Sequence, residues 1–184
     1  MKIIVAITGA SGAIYGVKLL ENLRDALVET HLIISKWGRY TIQNETKYSV
    51  EEVKELATVC YDEEDMAAAI SSGSYKNDGM IVAPCSMKTL AGITTGFDHD
   101  LIIRAANVAI KERRRLVLLT RESPLSTVHL ENMLKASRLG VVIMPPVPAF
   151  YCKPQSLDDI VSNTIARVLD QFGLELDTPR WGSL

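Results

Sequence analysis

Cysteine is scarce in this chain, and the cysteines and histidines show no metal-binding spacing. The chain has three cysteines among 184 residues, and no C-x-x-C pair joins them. Its three histidines lack the H-E-x-x-H spacing of zinc enzymes. The sequence therefore predicts free thiols and no protein-bound metal. The residues concerned are Cys60, Cys85, Cys152, His31, His99 and His129.

An excess of positive charge and long apolar runs are also missing. Lysine and arginine total 20 against 22 acidic residues, for a net charge of −2, which argues against a nucleic-acid partner. No apolar run reaches the roughly 20 residues that span a bilayer, and no signal-peptide pattern opens the chain. We expect one domain over residues 1–184, located in the cytoplasm and not in a membrane.

The first turn lacks the two common nucleotide fingerprints. A buried strand, Lys2–Thr8, leads through Gly9-Ala10-Ser11-Gly12 into a helical pattern, where glycines and free helix amides suit a phosphate. Neither G-x-G-x-x-G nor a Walker loop occurs, and the second strand ends in Ser35-Lys36 instead of an acid. The turn favours a mononucleotide such as FMN, with Ser11 and Ser35 as hydroxyl donors. The alternative is a small-residue turn that binds nothing.

Apolar runs alternate with helical patterns along the chain. This alternation predicts an α/β fold, a doubly wound parallel sheet covered on both faces. The predicted strands are Ile3–Ile7, His31–Ile34, Met80–Ala83, Leu116–Thr120 and Val141–Met144. The predicted helices are Ala13–Leu27, a segment after Ser35, Ser49–Ala57, a stretch around Asp65–Ile70, Leu101–Lys111, Leu125–Ser137 and Ser156–Phe172.

Ligands of such sheets bind beyond the carboxyl ends of the strands, so the loops there hold the candidate site residues. In Pro84–Thr89, the Ser86 and Thr89 hydroxyls are candidates for the cofactor, whereas Cys85 has no neighbouring histidine and is read as packing. Glu122 is the candidate general acid-base, or else a helix cap. Tyr151 follows a stiff proline-rich segment and is a ligand contact or a core plug.

Three cations on predicted helices are candidates for binding a phosphate. Arg104 and Lys111 are seven residues apart and share a helix face, although the helix dipole alone also favours Lys111 at a C-terminus. Arg167 flanks the apolar stripe of the last helix, where a snorkelling side chain is the simpler interpretation. The residues alone leave these alternatives open.

The chain resembles the UbiX flavin prenyltransferases in several blocks that fall in order. The resemblance runs from Lys2 to Trp181 and rests on Thr8–Ala13, Ile34–Lys36, Pro84–Ser86, Lys111–Arg114, Arg121–Pro124, His129–Met133 and Phe150–Tyr151. It implies a flavodoxin-like, three-layer Rossmann-like fold and a dodecamer. It also implies bound reduced FMN, dimethylallyl monophosphate as the co-substrate, and no metal. The product implied is a prenylated FMN, which is passed to UbiD-type decarboxylases that act in ubiquinone synthesis or on aromatic acids.

The resemblance also implies residue roles. Glu122, Lys111 and Arg104 would be catalytic, and Tyr151, Arg167, Arg104 and Lys111 would bind the prenyl phosphate. The residues implied to line the FMN site are Gly9, Ala10, Ser11, Ser35, Ser86, Met87, Lys88, Thr89 and Arg121. Some family members place a tryptophan against the prenyl chain in the segment Asp62–Ser74, which has none here. Residues 173–184, with Trp181, would form a flap or an oligomer contact.

Two other functions remain open. One is a flavin-dependent cysteine decarboxylase of the phosphopantothenoylcysteine type. Enzymes of that type have a motif similar to P-x-S-x-N-T after the third strand, but Lys88 stands at the asparagine position here. A passive flavin-binding or electron-carrying protein would need the loops without the set of Arg104, Lys111, Glu122 and Arg167.

Overall fold

Six parallel strands form one sheet in the computed structural model, which describes residues 1–182. The strands are β1 (Lys2–Ile7), β2 (Glu29–Ile34), β3 (Val59–Tyr61), β4 (Gly79–Cys85), β5 (Arg115–Thr120) and β6 (Val142–Ile143). Their spatial order is β3-β2-β1-β4-β5-β6, and every neighbouring pair is parallel. The predicted doubly wound sheet is confirmed.

Helices cover both faces of this sheet because its strands alternate apolar side chains between them. Ile3, Val5 and Ile7 of β1 join one buried cluster, and Ile4 and Ala6 join the other. Helices α1 (Ala13–Asp25), α2 (Lys36–Glu45), α3 (Val50–Glu55) and α7 (Leu157–Asp170) supply buried residues to the first cluster. Helices α4 (Met87–Thr95), α5 (Leu101–Lys111) and α6 (Thr127–Arg138) supply the second.

One strand was not predicted, and one predicted helix was wrong. The edge strand β3 was missed because Val59 and Cys60 are exposed, so no apolar run marks it. The helix predicted around Asp65–Ile70 is replaced by turns and a short 3₁₀ segment, Ala69–Ser71. There the Asp62 carboxylate accepts from the Glu64 amide at 3.0 Å, and Asp65 accepts from Ala67 at 3.1 Å. Such side-chain bonds compete with helical hydrogen bonding.

The strand order has one consequence for ligand binding. The chain runs outward from β1 to β2 and β3, then returns to place β4 on the other side of β1. The loops after β1 and β4 therefore leave the sheet toward opposite faces and open a crevice between them. Doubly wound proteins bind nucleotides in this position.

Candidate functional site

A cavity of about 400 Å³ opens at this crevice, at the carboxyl ends of the strands. Residues that follow β1, β2, β3 and β4 and residues that begin α5 meet there, although they are far apart in sequence. The lining residues are Thr8, Gly9, Ser35, Lys36, Trp37, Glu63, Glu64, Ser86, Lys88, Thr89, His99, Asp100 and Ile102. Five of the residues predicted to bind the cofactor line it, namely Gly9, Ser35, Ser86, Lys88 and Thr89.

Thr8 ties the two central strands together at the floor of the cavity. Its buried hydroxyl donates to the Pro84 carbonyl at 2.7 Å and accepts from the Ser86 amide at 2.9 Å. The first bond holds β1 to β4, and the second fixes the start of the Ser86 loop. Sequence reasoning assigned no role to Thr8, since only the strand order places it beside β4.

Two helix N-termini begin at the cavity wall, and each is capped by a serine. The Ser35 hydroxyl accepts from the Gly38 amide at 3.0 Å to cap α2, and the Ser86 hydroxyl accepts from the Thr89 amide at 3.3 Å to cap α4. Helix N-termini carry partial positive charge and free amides, so they attract anions. The Lys88 side chain adds a cation to the same wall. The arrangement suits a phosphate group.

The turn after β1 packs tightly on α2. A Cβ atom added to Gly9 would lie 2.3 Å from the Trp37 Cβ atom, so only glycine fits at this position. Ala10 and Ser11, predicted to bind the cofactor, do not line the cavity. Their role in binding stays a prediction.

The predicted phosphate cradle at the start of α1 already has an anionic partner. The Glu45 carboxylate accepts from the Gly12 amide at 2.6 Å and from the Ala13 amide at 3.3 Å. Glu45 ends α2, and no sequence motif signals that it reaches this turn. At the start of α2 the Glu63 carboxylate, which lines the cavity, accepts in the same way from the Lys36 amide at 2.5 Å. Carboxylates therefore supply negative charge at α1 and α2, and the part of the wall that suits an added anion is the start of α4 with Lys88.

Cys85 is fully buried at the end of β4, and burial raises the pKa of its thiol. A thiol that resists ionisation is a poor nucleophile. The interpretation of Cys85 as a packing residue is therefore supported. Met87, the first residue of α4, packs against the buried cluster on that face and does not line the cavity.

Arg121 and Glu122 follow β5 and are both exposed. The Arg121 amide donates to the Cys85 carbonyl at 3.1 Å, which places this loop beside the end of β4. The Glu122 carboxylate accepts from the Ser123 amide at 3.0 Å. Ser126, not Glu122, caps the following helix α6, so the capping interpretation of Glu122 is not supported. Neither Arg121 nor Glu122 lines the 400 Å³ cavity.

Arg104 and Lys111 are each paired with an acid of their own chain. Arg104 lies 3.0 Å from Asp98 and also donates to the Ser71 carbonyl at 3.0 Å. Lys111 lies 2.5 Å from Glu112. Both residues belong to α5, which packs on the opposite face of the sheet from α7 and its Arg167. A single chain therefore does not gather the three predicted phosphate-binding cations.

Arg167 lies in a second pocket, of about 350 Å³, between α7 and the C-terminal segment. Tyr151, in the 3₁₀ segment Phe150–Cys152, shares this pocket and packs edge-on against Trp181, with the ring centroids 5.4 Å apart. Trp181 thus lies beside Tyr151 and Arg167, while residues 183–184 lie outside the described part. The role of residues 173–184 as a flap or an oligomer contact stays a prediction. Arg180 also lines the pocket, which brings two guanidinium groups together.

No helix among residues 1–182 has the length and apolar character needed to cross a bilayer. Within the same range, no group of three or more histidine, cysteine, aspartate or glutamate side chains is arranged to hold a metal ion.

Comparison with known proteins assigns the chain to a family. The model of the Flavoprotein family matches residues 1–169. A probable UbiX-like flavin prenyltransferase of Bacillus subtilis is 55% identical over 185 residues, which cover 100% of this chain and 91% of the relative.

Two solved structures have the same fold with a TM-score of 0.98. The dodecameric FMN-dependent UbiX-like decarboxylase of Escherichia coli O157:H7 is 57% identical and covers 100% of both chains. AnUbiX (PadA1), solved in complex with FMN and dimethylallyl pyrophosphate, is 54% identical and covers 100% of this chain and 98% of its own. The fold and these sequence identities confirm the resemblance that the blocks of sequence described above indicated. The chain belongs to the UbiX-like flavin prenyltransferases of the Flavoprotein family.

Proposed function

We propose that this protein transfers the dimethylallyl group of dimethylallyl monophosphate to N5 and C6 of reduced FMN. The product would be the prenylated FMN used by UbiD-type decarboxylases. One observation carries the proposal: two serine-capped helix N-termini and Lys88 meet in a cavity at the reversal of strand order, in a chain of this family.

The residues of the cavity fit FMN. Ser35, Ser86, Thr89 and Lys88 would hold the phosphate, since hydroxyls, helix amides and an ammonium group are the donors that a phosphate accepts from. Gly9 lets the turn after β1 lie close against α2 at the cavity, because the space that a Cβ atom would need there is filled by Trp37. Reduced FMN, when bound, supplies the nucleophilic N5 and C6 atoms. Ala10, Ser11, Met87 and Arg121 are proposed to complete the site near the ring.

The prenyl phosphate would bind beside Tyr151 and Arg167. Transfer breaks the bond between the allylic carbon and the phosphate oxygen, and the leaving phosphate keeps the electron pair. Guanidinium groups stabilise the charge that develops there, and aromatic rings shield the allylic cation from water. Arg167, Tyr151 and Trp181 lie together and supply both kinds of group.

Arg104 and Lys111 can join the same site only from another copy of the chain. They lie on α5, across the sheet from Arg167. We therefore propose a homo-oligomer, a dodecamer as in the UbiX-like structure from Escherichia coli, in which neighbouring copies complete the site. Three exposed side chains of α6 offer apolar contact area for such an assembly, Val128, Leu130 and Leu134.

Glu122 is proposed to move the proton that accompanies ring closure and to assist the departure of phosphate. Its exposed carboxylate is held by one amide hydrogen bond, so it is free to accept a proton from a bound ligand. We expect Glu122→Gln to slow prenylation while FMN affinity stays unchanged. Equal loss of both would reject a catalytic role for Glu122.

The decisive experiment is mass spectrometry of the flavin extracted after anaerobic incubation of the FMN-loaded protein with dimethylallyl monophosphate. We expect a flavin heavier by one prenyl group. The extracted flavin should then restore activity to a UbiD-type decarboxylase, and we expect the protein itself in the cytoplasmic fraction of the cell. An unchanged flavin mass would favour a passive flavin-binding protein. Oxidative decarboxylation of a cysteinyl substrate would instead favour the cysteine decarboxylases, against which Lys88 argues.

A further inference from the structure

The pocket that holds Arg167 is organised by an acid that does not line it. Asp170 lies one helical turn after Arg167 on α7, and its Oδ2 atom accepts from Arg167 Nη1 at 2.5 Å. The same carboxylate accepts from Arg180 through both oxygens, at 2.9 Å and 2.8 Å. The Asp170 side chain is only 17% exposed, whereas those of Arg167 and Arg180 are 51% and 40% exposed.

The bonds to Arg180 attach the C-terminal segment to α7. Paired hydrogen bonds between a guanidinium and a carboxylate fix orientation as well as distance. The segment has a second attachment, because the Pro179 carbonyl accepts from Cys152 Sγ at 3.3 Å and from Asn163 Nδ2 at 3.5 Å. Together these contacts carry Trp181 to Tyr151, with the rings perpendicular and 5.4 Å apart.

We propose that Asp170 is a positioning residue for the prenyl phosphate, an inference that rests on the proposed function. It orients the Arg167 guanidinium and holds residues 178–181 across Tyr151, so that the anion-binding wall and the aromatic wall of the pocket exist before the substrate arrives.

Pre-organisation predicts a specific kinetic signature. Without the Asp170 charge, Arg167 is no longer held and the C-terminal segment loses one attachment, so part of the binding energy of the substrate must order them. We expect Asp170→Asn to raise the KM for dimethylallyl monophosphate about tenfold, with kcat within about twofold of the original and with unchanged FMN affinity. Asp170→Glu keeps the charge and should recover part of the lost affinity.

A matched control lies on the same helix. Asp158, also on α7, pairs with Lys18 of α1 at 3.2 Å and does not line the pocket. Asp158→Asn should therefore leave the KM unchanged. Arg180→Met tests the segment separately, because it leaves the Asp170–Arg167 pair intact. We expect it to raise the KM as well. A lower melting temperature with an unchanged KM in Asp170→Asn would show a purely structural role and overturn the proposal.

Calorimetric titration separates this inference from the proposed function. Dimethylallyl monophosphate and inorganic phosphate are titrated into the FMN-loaded protein and into the Asp170→Asn variant. Weaker binding of both ligands by the variant supports the positioning role even if no prenylated flavin forms. Equal binding by the two proteins overturns it even if the transfer reaction takes place.

Discussion

Gly9→Ala is the sharpest test of how the cavity is built. The added methyl carbon would lie 2.3 Å from Trp37 Cβ and 3.3 Å from the Trp37 Cα and carbonyl carbon atoms. Carbon atoms in contact sit about 3.5–4.0 Å apart, so the first turn of α2 must withdraw by roughly 1 Å. Because the Trp37 Cβ atom is bonded directly to the backbone, a change of side-chain rotamer cannot relieve the clash.

The expected cost follows from two opposing terms. Overpacking of this kind costs about 1–3 kcal/mol. Replacing glycine in the unfolded chain returns about 0.4–1 kcal/mol, because Gly9 has no left-handed backbone that alanine would strain. Taking the midpoints of the two ranges, about 2 and about 0.7 kcal/mol, the net loss is about 1.3 kcal/mol. This loss corresponds to a melting temperature lower by about 3–5 °C for a chain of this size. The shift of α2 also moves the Ser35 cap, so FMN affinity should fall at least about tenfold, by analogy with misplaced catalytic groups.

The assay combines thermal unfolding with FMN titration by flavin fluorescence. Gly140→Ala is the control, since Gly140 has a φ of +87° with open space around it and lies outside the cavity. Alanine there costs about 1–2 kcal/mol through backbone strain, and FMN affinity should not change. A Gly9→Ala protein with unchanged stability would refute the packing argument. Lower stability with unchanged FMN affinity would refute the location of the flavin site.

Three further predictions address the contacts around the two pockets. Thr8→Val keeps the side-chain shape but removes both hydroxyl hydrogen bonds and leaves the Ser86 amide without its acceptor. The free energy of unfolding, measured by chemical denaturation, should fall by about 1–3 kcal/mol, and FMN should bind more weakly in a titration. Unchanged stability would contradict the bridging role of Thr8. Glu45→Gln removes the negative charge at the α1 N-terminus, so the free energy of unfolding, measured in urea, should fall by about 0.5–2 kcal/mol. An unchanged free energy would show that this contact does not stabilise the protein. Arg180 lowers the pKa of Asp170, so this pair stabilises the protein above about pH 4 and the contribution is lost as the pH falls further; a melting temperature that depends on pH equally in Asp170→Asn would contradict this.

Local features were predictable because each is carried by a few neighbouring residues. The apolar runs of β1, β4 and β5 mark a buried parallel sheet, and α5 begins and ends at the predicted residues, Leu101 and Lys111. Ser35 and Ser86 were identified because their hydroxyls follow predicted strands, at the edge of a parallel sheet where ligands bind. The strand β3 and the segment after Asp62 could not be predicted in this way, since exposure and side-chain bonds outweigh the local pattern there.

The sequence by itself determined the fold class, both ends of α5 and, through its resemblance to a family, the expected chemistry. Only the tertiary structure decided that Thr8 reaches the Ser86 loop, that Glu45 supplies the anion at α1, and that Asp170 joins Arg167 to Arg180. It also separated Arg104 and Lys111 from Arg167 by the thickness of the sheet. The physical reason is that caps and apolar periodicity act over a few residues, whereas these contacts depend on the order of the strands and the face each helix covers.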